Sequence, residues 1–386
     1  MNHSFAIPKS TVPLPEREGL PALLEEIRAR RDEFTAQRHI SKDIIARFQE
    51  LGVYRALVAK QFGGEERSPA EFCQLIETIS EADGSAGWVA SFGVSAIYLA
   101  ALPEPTLRKI YADGPDVVFA GGLFPLQPAR RTPDGFVLKG RWKFASGCMG
   151  ASLIGVGIRS EGEQAGGLPR IAVMPVDKVR IDENWDVIGL EGTGSHDLLI
   201  DDVVVPEEWT LIRGSKALVE TAVNRYPVIA LAAQVLTVVG LGVARSALDE
   251  FVEHAGGFRS ITGAPNLADR PYVQSEVAKA DILLRSARSL FYETTEAAWR
   301  EAQAGEVSLA TTNLLRLAST YSAQSAAAVT RLVFDLTGIA AIQTGHRFNR
   351  TLHDCAAVAQ HYFMSEGTWQ NGGAVMLGLP TAPGFP

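Results

Sequence analysis

Hydrophobic positions recur at helical spacing through the first third of the chain. Ser41 is a favourable N-cap for the segment KDIIARFQEL, which ends before Gly52. Its apolar residues share one face: Ile44, Ile45, Phe48 and Leu51. Downstream, Ser68-Pro69-Ala70-Glu71 combines an N-cap, a proline at the first helical position and a capping-box glutamate. This pattern predicts a helical N-terminal domain over residues 1–118.

The spacing changes from helical to alternating near residue 119. In FVLKGRWKF, Lys139, Arg141 and Lys143 point to one side, and the other side carries Leu138, Gly140, Trp142 and Phe144. Further strands are predicted in SLIGVGI, PRIAVMPV and DLLIDDVVVP, separated by turn-rich segments. Because no helical pattern lies between them, we expect an antiparallel sheet or small barrel over residues 119–215.

Alanine-rich helical patterns return over residues 216–386 and predict a C-terminal helical bundle. The fold class is therefore α+β and mainly α, since segregated rather than alternating elements exclude a doubly wound sheet. One stretch, PVIALAAQVLTVVGLGVA (Pro227–Ala244), has a length at the lower limit for a membrane span. Its glycines and alanines favour a buried core helix instead. The small side chains of LLRLASTYSAQSAAAVTRLVF suit close packing between subunits.

Composition narrows the function classes. A net charge of −8 argues against a nucleic-acid surface, and 46% hydrophobic residues can form a large core. The three cysteines, Cys73, Cys148 and Cys355, show no spacing typical of disulfides or zinc. The start MNHSFAIPKSTVPLPEREGL looks like a loose, proline-rich leader and not a secretory signal, so we expect a cytoplasmic protein without membrane segments.

Several chemical motifs can be set aside. Ser195, His196 and Asp197 are consecutive, so in an extended strand they cannot form a relay with one another. GVGIRS is not followed by a helical pattern, which disfavours a dinucleotide loop. The segment from His346 to Gly373 is rich in histidine, but no histidine pair has the four-residue spacing of a helical metal site. No metal is expected.

Three stretches together resemble the acyl-CoA dehydrogenase superfamily, and more closely its oxygen-using branch, the group D flavin monooxygenases. They are GRWKFASGCMGAS (Gly140–Ser152), WDVIGLEGTGSHDLLIDDVVVPEE (Trp185–Glu208), and Arg347–His361 followed by GGAVMLGLP. Weaker similarities are QFGG and ADGSAGW near the N-terminus. The resemblance spans nearly the whole chain, and it depends on the order and spacing of the motifs.

The resemblance implies the acyl-CoA dehydrogenase fold, assembled as a homotetramer or sometimes a dimer. It implies an oxygenase component that receives reduced FMN or FAD from a separate flavin reductase. Dioxygen then adds at flavin C4a, and the hydroperoxide delivers one oxygen atom to a small aromatic or heteroaromatic substrate. No nucleic acid is implied as a partner.

The resemblance also assigns residues. Ser146 would hydrogen-bond near flavin N5, although a simple turn serine is the alternative. His361 would act in proton transfer, because an imidazole can give or take a proton near neutral pH. The flavin ring would be lined, largely by backbone, by Trp142, Phe144, Ala145 and Gly147. The turn containing Asp335 and Gly338 would approach the flavin from a neighbouring subunit.

One departure affects the expected substrate. Many group D enzymes carry a histidine where this chain has Ser95. A phenol-activating base is therefore missing or comes from elsewhere, so an indole-like ring or a heteroatom target becomes as plausible as a phenol.

The main rival is an acyl-CoA dehydrogenase with bound FAD. Glu366-Gly367-Thr368 resembles the segment that holds the dehydrogenase base, but His361 stands almost where that base should be. The segment GGLFPLQPA also lacks the usual acidic dehydrogenase loop. The monooxygenase interpretation is therefore favoured, and a non-catalytic helical scaffold is the remaining alternative.

Overall fold

The computed structural model describes residues 17–160, 168–257 and 265–386. Most of the expected leader lies outside these residues. The first part of the chain is helical, as predicted. Its α-helices are α1 (Leu20–Ala29), α2 (Arg31–Gln37), α3 (Lys42–Glu50), α4 (Pro69–Ala82), α5 (Gly84–Ala90), α6 (Ser95–Leu99) and α7 (Glu104–Ile110).

The two helix starts differ in how they are capped. At α4 the capping box is complete: the Ser68 hydroxyl accepts from the Glu71 N–H, and the Glu71 carboxylate accepts from the Ser68 N–H. Ser41 occupies the N-cap position of α3, but its hydroxyl donates to Glu33 at 2.5 Å and does not cap the helix. The predicted boundary of α3 is confirmed, whereas the predicted side-chain cap is wrong.

Strands form one seven-stranded sheet in the order β5-β6-β2-β1-β3-β4-β7. Their bounds are β1 (Phe119–Thr132), β2 (Gly135–Ala145), β3 (Leu153–Ser160), β4 (Arg170–Pro175), β5 (Arg180–Asp182), β6 (His196–Val205) and β7 (Thr210–Ile212). The predicted antiparallel pattern holds for every pair of neighbouring strands in this sheet except β1 and β3, which run parallel with Phe119 opposite Leu153. The sheet is therefore mixed, because β2 leaves β1 on the side away from β3.

The alternation predicted along β2 fails at its end. Leu138 and Trp142 are buried, but the register with β6 shifts between Trp142 and Ala145. The extra residue of this bulge turns Ala145 inward and leaves Phe144, with φ of 62°, 66% exposed. The predicted placement of Phe144 on the same side of the strand as Trp142 was wrong for this reason.

The rest of the chain is a helical bundle built around one apolar helix. Its helices are α8 (Ala222–Arg225), α9 (Val228–His254), α10 (Pro271–Ala304), α11 (Leu309–Thr337), α12 (Arg347–Gln360) and α13 (Glu366–Met376). Helix α9 contacts α4, α10, α11 and α12. Two stretches, Val228–His254 and Leu309–Ile342, are long and apolar enough to cross a membrane, but 83% of the apolar window in the first is buried. The prediction of a core helix is confirmed.

A buried ion pair joins the N-terminal helices to this bundle. The Glu77 carboxylate on α4 accepts from Arg288 Nε at 2.6 Å and from the Tyr292 hydroxyl at 2.5 Å, both on α10. The Arg288 guanidinium also lies 4.6 Å from the centre of the Tyr292 ring. Each polar group of this contact therefore has a partner.

Candidate active site

Ser146 lies in the turn that follows β2 and is 6% exposed. Its hydroxyl accepts from the Trp88 indole N–H at 3.1 Å and shares a 2.7 Å hydrogen bond with the Ser195 hydroxyl. A second 2.7 Å bond joins Ser195 to Thr193, so three hydroxyls form a chain. The turn is held because Gly147, at φ of 75°, donates its N–H to the Thr193 carbonyl.

Trp88 connects this hydroxyl chain to the C-terminal bundle. It lies on α5, and its ring meets the His361 imidazole at 5.9 Å between centroids in an edge-on arrangement. The two sequence-predicted catalytic residues, Ser146 and His361, are thus brought to the same indole from separate domains. Trp88 was not predicted as a site residue, although it ends the ADGSAGW segment of the resemblance.

His361 is the C-cap residue that directly follows α12. Its Nδ1 accepts the N–H of Phe363 at 3.2 Å, so the neutral imidazole carries its proton on Nε2. Burial, together with the nearby cations Arg213 and Arg316, lowers the pKa of His361 to about 4. The ring is therefore neutral near pH 7, and its Nε2–H can donate a hydrogen bond.

The two cations beside His361 come from different elements. Arg213 follows β7, and Arg316 lies on α11, where it is 4% exposed. Both guanidinium carbons lie 5.2 Å from the centre of the Phe363 ring, which itself packs against His361 at 4.9 Å. Burial, followed by repulsion from Arg213, lowers the pKa of Arg316 to about 10. Neither arginine carries a sequence motif, and neither was predicted.

The surface next to Ser146 fits a flat aromatic cofactor. The exposed Phe144 ring is held edge-on by Trp185 at 6.2 Å, and the Phe144 carbonyl accepts the Ser146 N–H at 3.0 Å. An exposed aromatic face bordered by a hydroxyl chain offers stacking area together with hydrogen bonds. The isoalloxazine of a flavin has both requirements, so Phe144, Ser146 and Gly147 are the residues that would hold it here.

Trp142 and Ala145 can face a cofactor only through their backbone. Both side chains are fully buried in the core of the sheet, and the Trp142 indole donates to the Gly157 carbonyl at 2.7 Å. Asp335 and Gly338 lie at the exposed end of α11, where Asp335 pairs with Arg331 at 2.9 Å. Their approach to a neighbouring subunit's flavin stays a prediction.

The alternatives raised by the sequence find little support in the geometry. Ser195 binds Ser146, His196 accepts from the Trp185 N–H, and Asp197 accepts from Arg141, so these three residues have separate partners. Glu366, the rival dehydrogenase base, is exposed at the start of α13.

Two further positions were named from the sequence. Ser95 is buried at the start of α6. Within the described ranges, no cluster of three His, Cys, Asp or Glu side chains could hold a metal ion.

Comparisons with known proteins identify the family and the fold. Family models match residues 22–111 (acyl-CoA dehydrogenase, N-terminal domain) and 234–366 (acyl-CoA dehydrogenase, C-terminal domain). The indole-3-acetate monooxygenase of Acinetobacter baumannii is 51% identical over 95% of both chains. The oxygenase component of the FADH2-dependent resorcinol hydroxylase of Rhizobium sp. strain MTP-10005 is 27% identical over 89% of both.

A solved structure supports the same family and fold. The 3-HSA hydroxylase of Rhodococcus sp. RHA1 superposes with a TM-score of 0.87 at 25% identity, covering 95% of this chain and 97% of that one. The two family models together match more than half of the chain, and the relative at 51% identity covers 95% of it. The chain therefore belongs to the flavin-dependent monooxygenases of the acyl-CoA dehydrogenase superfamily.

Proposed function

We propose that this protein is the oxygenase component of a two-component system that oxygenates indole-3-acetate, with reduced FMN or FAD supplied by a separate reductase. The observation that carries the proposal is the convergence of Ser146 and His361 on the Trp88 indole. The relative at 51% identity is named for indole-3-acetate. The position of Ser95, where a phenol-activating histidine is expected, also favours an indole over a phenol.

Each residue of the site has a separate task. A bound reduced flavin activates dioxygen and supplies the oxygen atom. The Ser146 hydroxyl is oriented by the Trp88 N–H and by Ser195, so its remaining hydrogen-bonding capacity is directed at the cofactor side. His361 is neutral near pH 7 and keeps its proton on Nε2, so it can donate a hydrogen bond through Nε2–H beside the Trp88 indole.

The site also limits access of water. Trp88 and Phe363 pack against the His361 ring from two sides, and Trp88 itself is 8% exposed. A dry site strengthens the hydrogen bonds of Ser146 and His361 and suppresses stray proton transfer. Both effects favour transfer of oxygen to the substrate over release of hydrogen peroxide.

We further propose a homotetramer located in the cytoplasm. Only 33% of the apolar window in Leu309–Ile342 is buried within one chain, and Leu309, Leu314 and Ile339 are exposed. Such an apolar helix face is typical of a surface covered by another subunit. The three cysteines are free and buried, which suits a reducing compartment.

The test mixes the protein and reduced FMN or FAD with ¹⁸O₂ and indole-3-acetate, and follows the product by mass spectrometry. We expect one ¹⁸O atom per product molecule with at least one of the flavins. His361→Ala should lower the product yield on the order of a hundredfold. Ser146→Ala should divert reducing equivalents to hydrogen peroxide.

Ser289→Ala, an exposed serine on α10, is the matched control and should behave as wild type. The absence of labelled product with both flavins would contradict the proposed function. Wild-type coupling in both Ser146→Ala and His361→Ala would show that the site is assigned to the wrong residues.

A further inference from the structure

Arg316, which is buried, and Arg213, which is half-buried, form two neighbouring cations, here called the arginine pair. They share the Phe363 ring, and the Arg316 guanidinium also lies 5.0 Å from the Phe385 ring. The Tyr98 phenol is close enough to both arginines to interact with them electrostatically. The pair therefore has an aromatic surround and one phenolic hydroxyl.

Within the described part of the chain, neither guanidinium has an ion-pair partner. The charges that act on Arg316 are those of Arg213, Tyr98 and Tyr362, and no carboxylate is among them. The Nε atoms of Arg213 and Arg316 are buried and have no hydrogen-bond partner among the residues that the structure describes. The fork of N–H donors on each guanidinium is thus largely unused.

Such an arrangement is costly unless an anion completes it. A buried cation loses its hydration, and a second cation beside it adds repulsion. Guanidinium groups match a carboxylate in shape and charge, because two parallel N–H donors face its two oxygens. The missing partner should therefore be a planar anion that arrives from outside the chain.

We propose that the arginine pair binds the carboxylate of an aromatic acid substrate, whose ring then lies beside His361. This inference rests on the proposed function and adds the group that selects the substrate. Neutral indoles of the same shape would leave both guanidinium groups unpaired, so the site should discriminate strongly in favour of acids.

The test compares indole-3-acetate with 3-methylindole, which has nearly the same ring but no carboxylate. In Arg316→Met, kcat/KM for indole-3-acetate should fall on the order of a hundredfold. The value for 3-methylindole should stay within about threefold of wild type, because only the charge pairing is removed. Arg213→Gln should shift the preference in the same direction, and Arg300→Met, an exposed arginine on α10, should leave it unchanged.

A second readout separates binding from a structural role. Because Arg316 is unpaired in the free protein, Arg316→Met should raise its melting temperature. Indole-3-acetate should then stabilise the wild type against heat but not the variant. A lowered melting temperature together with equal losses on both substrates would identify Arg316 as structural and overturn the proposal.

The flavin phosphate is the other anion that could reach the pair. Calorimetric titration with FMN and riboflavin distinguishes it: Arg316→Met should weaken neither more than the other. Selective loss of FMN affinity would assign the pair to phosphate and contradict the proposal.

Failure of the proposed function gives a different result. In that case the wild type itself forms no labelled product from indole-3-acetate. A wild type that oxygenates indole-3-acetate, with an Arg316→Met variant that keeps the preference for the acid, refutes the arginine pair alone.

Discussion

Arg288 and Arg316 are two largely buried arginines of the same helical bundle, and each lies over an aromatic ring. Arg288 donates to Glu77, whereas no carboxylate in the described ranges acts on Arg316. Burial alone lowers the pKa of both, but Glu77 reverses the shift at Arg288 and raises its pKa, while Arg213 lowers that of Arg316 further. Arginine therefore stabilises the fold at position 288, whereas at position 316 it is available to bind a ligand.

The largest loss of folding stability is expected at the Glu77–Arg288 ion pair, where the buried charge has a partner. Glu77→Gln keeps the shape of the side chain but leaves Arg288 without its charge partner. We expect the free energy of unfolding to fall by about 3 kcal/mol, as measured by urea denaturation. Glu104→Gln, whose pair with Arg108 is exposed, is the matched control and should cost below about 1 kcal/mol.

The double variant Glu77→Gln/Arg288→Met removes both charges and should recover much of this loss. Equal costs for Glu77→Gln and Glu104→Gln would remove the basis of the comparison, because the buried pair would then contribute no more than a surface pair.

Asp354 is a buried carboxylic acid and can be compared with the two arginines, because burial also disfavours its charged form. Asp354 accepts the Leu190 N–H at 2.6 Å, and burial, reinforced by Asp83, raises the pKa of Asp354 to about 7. Since the folded pKa lies above the usual value, the stability linked to this group is present below about pH 4 and is lost as pH rises toward 7. The charged groups that act on it are Asp83, Arg350 and Glu191, and the cavity beside it is also lined by Arg31, Glu81 and Arg347.

Asp354→Asn keeps an oxygen acceptor for Leu190 but cannot ionise. The variant should match wild type near pH 4 and exceed its free energy of unfolding at pH 8 by on the order of 2 kcal/mol. Urea denaturation at the two pH values measures this. A difference that does not change with pH would show that Asp354 does not titrate in this range.

Local signals in the sequence predicted much of the fold. The Ser68–Glu71 capping box set the start of α4, and the absence of helices between the strands indicated a separate sheet. The parallel pairing of β1 and β3 could not be predicted from the sequence. Which strands become neighbours, and in which direction, depends on how the chain folds back in three dimensions. The exposure of Phe144 depends on a bulge that only the pairing with β6 reveals.

Some residues of the candidate site could likewise be predicted from the sequence, and others could not. Ser146 and His361 lie within contiguous motifs, so the resemblance could point to them. Arg213 and Arg316 have no motif, and their significance lies in the lack of a nearby acid, which is a property of the folded chain. Trp88 was predicted only in part. The sequence resemblance included its segment, but its contacts with Ser146 and His361 appear only in the structure.

The most direct measurement of the central claim is the pKa of His361, followed by NMR of ¹³C-labelled histidine, with His361→Gln assigning the signal. In the free protein, burial and the charges of Arg213 and Arg316 hold this pKa near 4. Bound indole-3-acetate should raise it, because its carboxylate offsets the two guanidinium charges. Bound 3-methylindole buries the ring equally without that charge and should leave the pKa low. The same pKa with both ligands would contradict a carboxylate bound at the arginine pair.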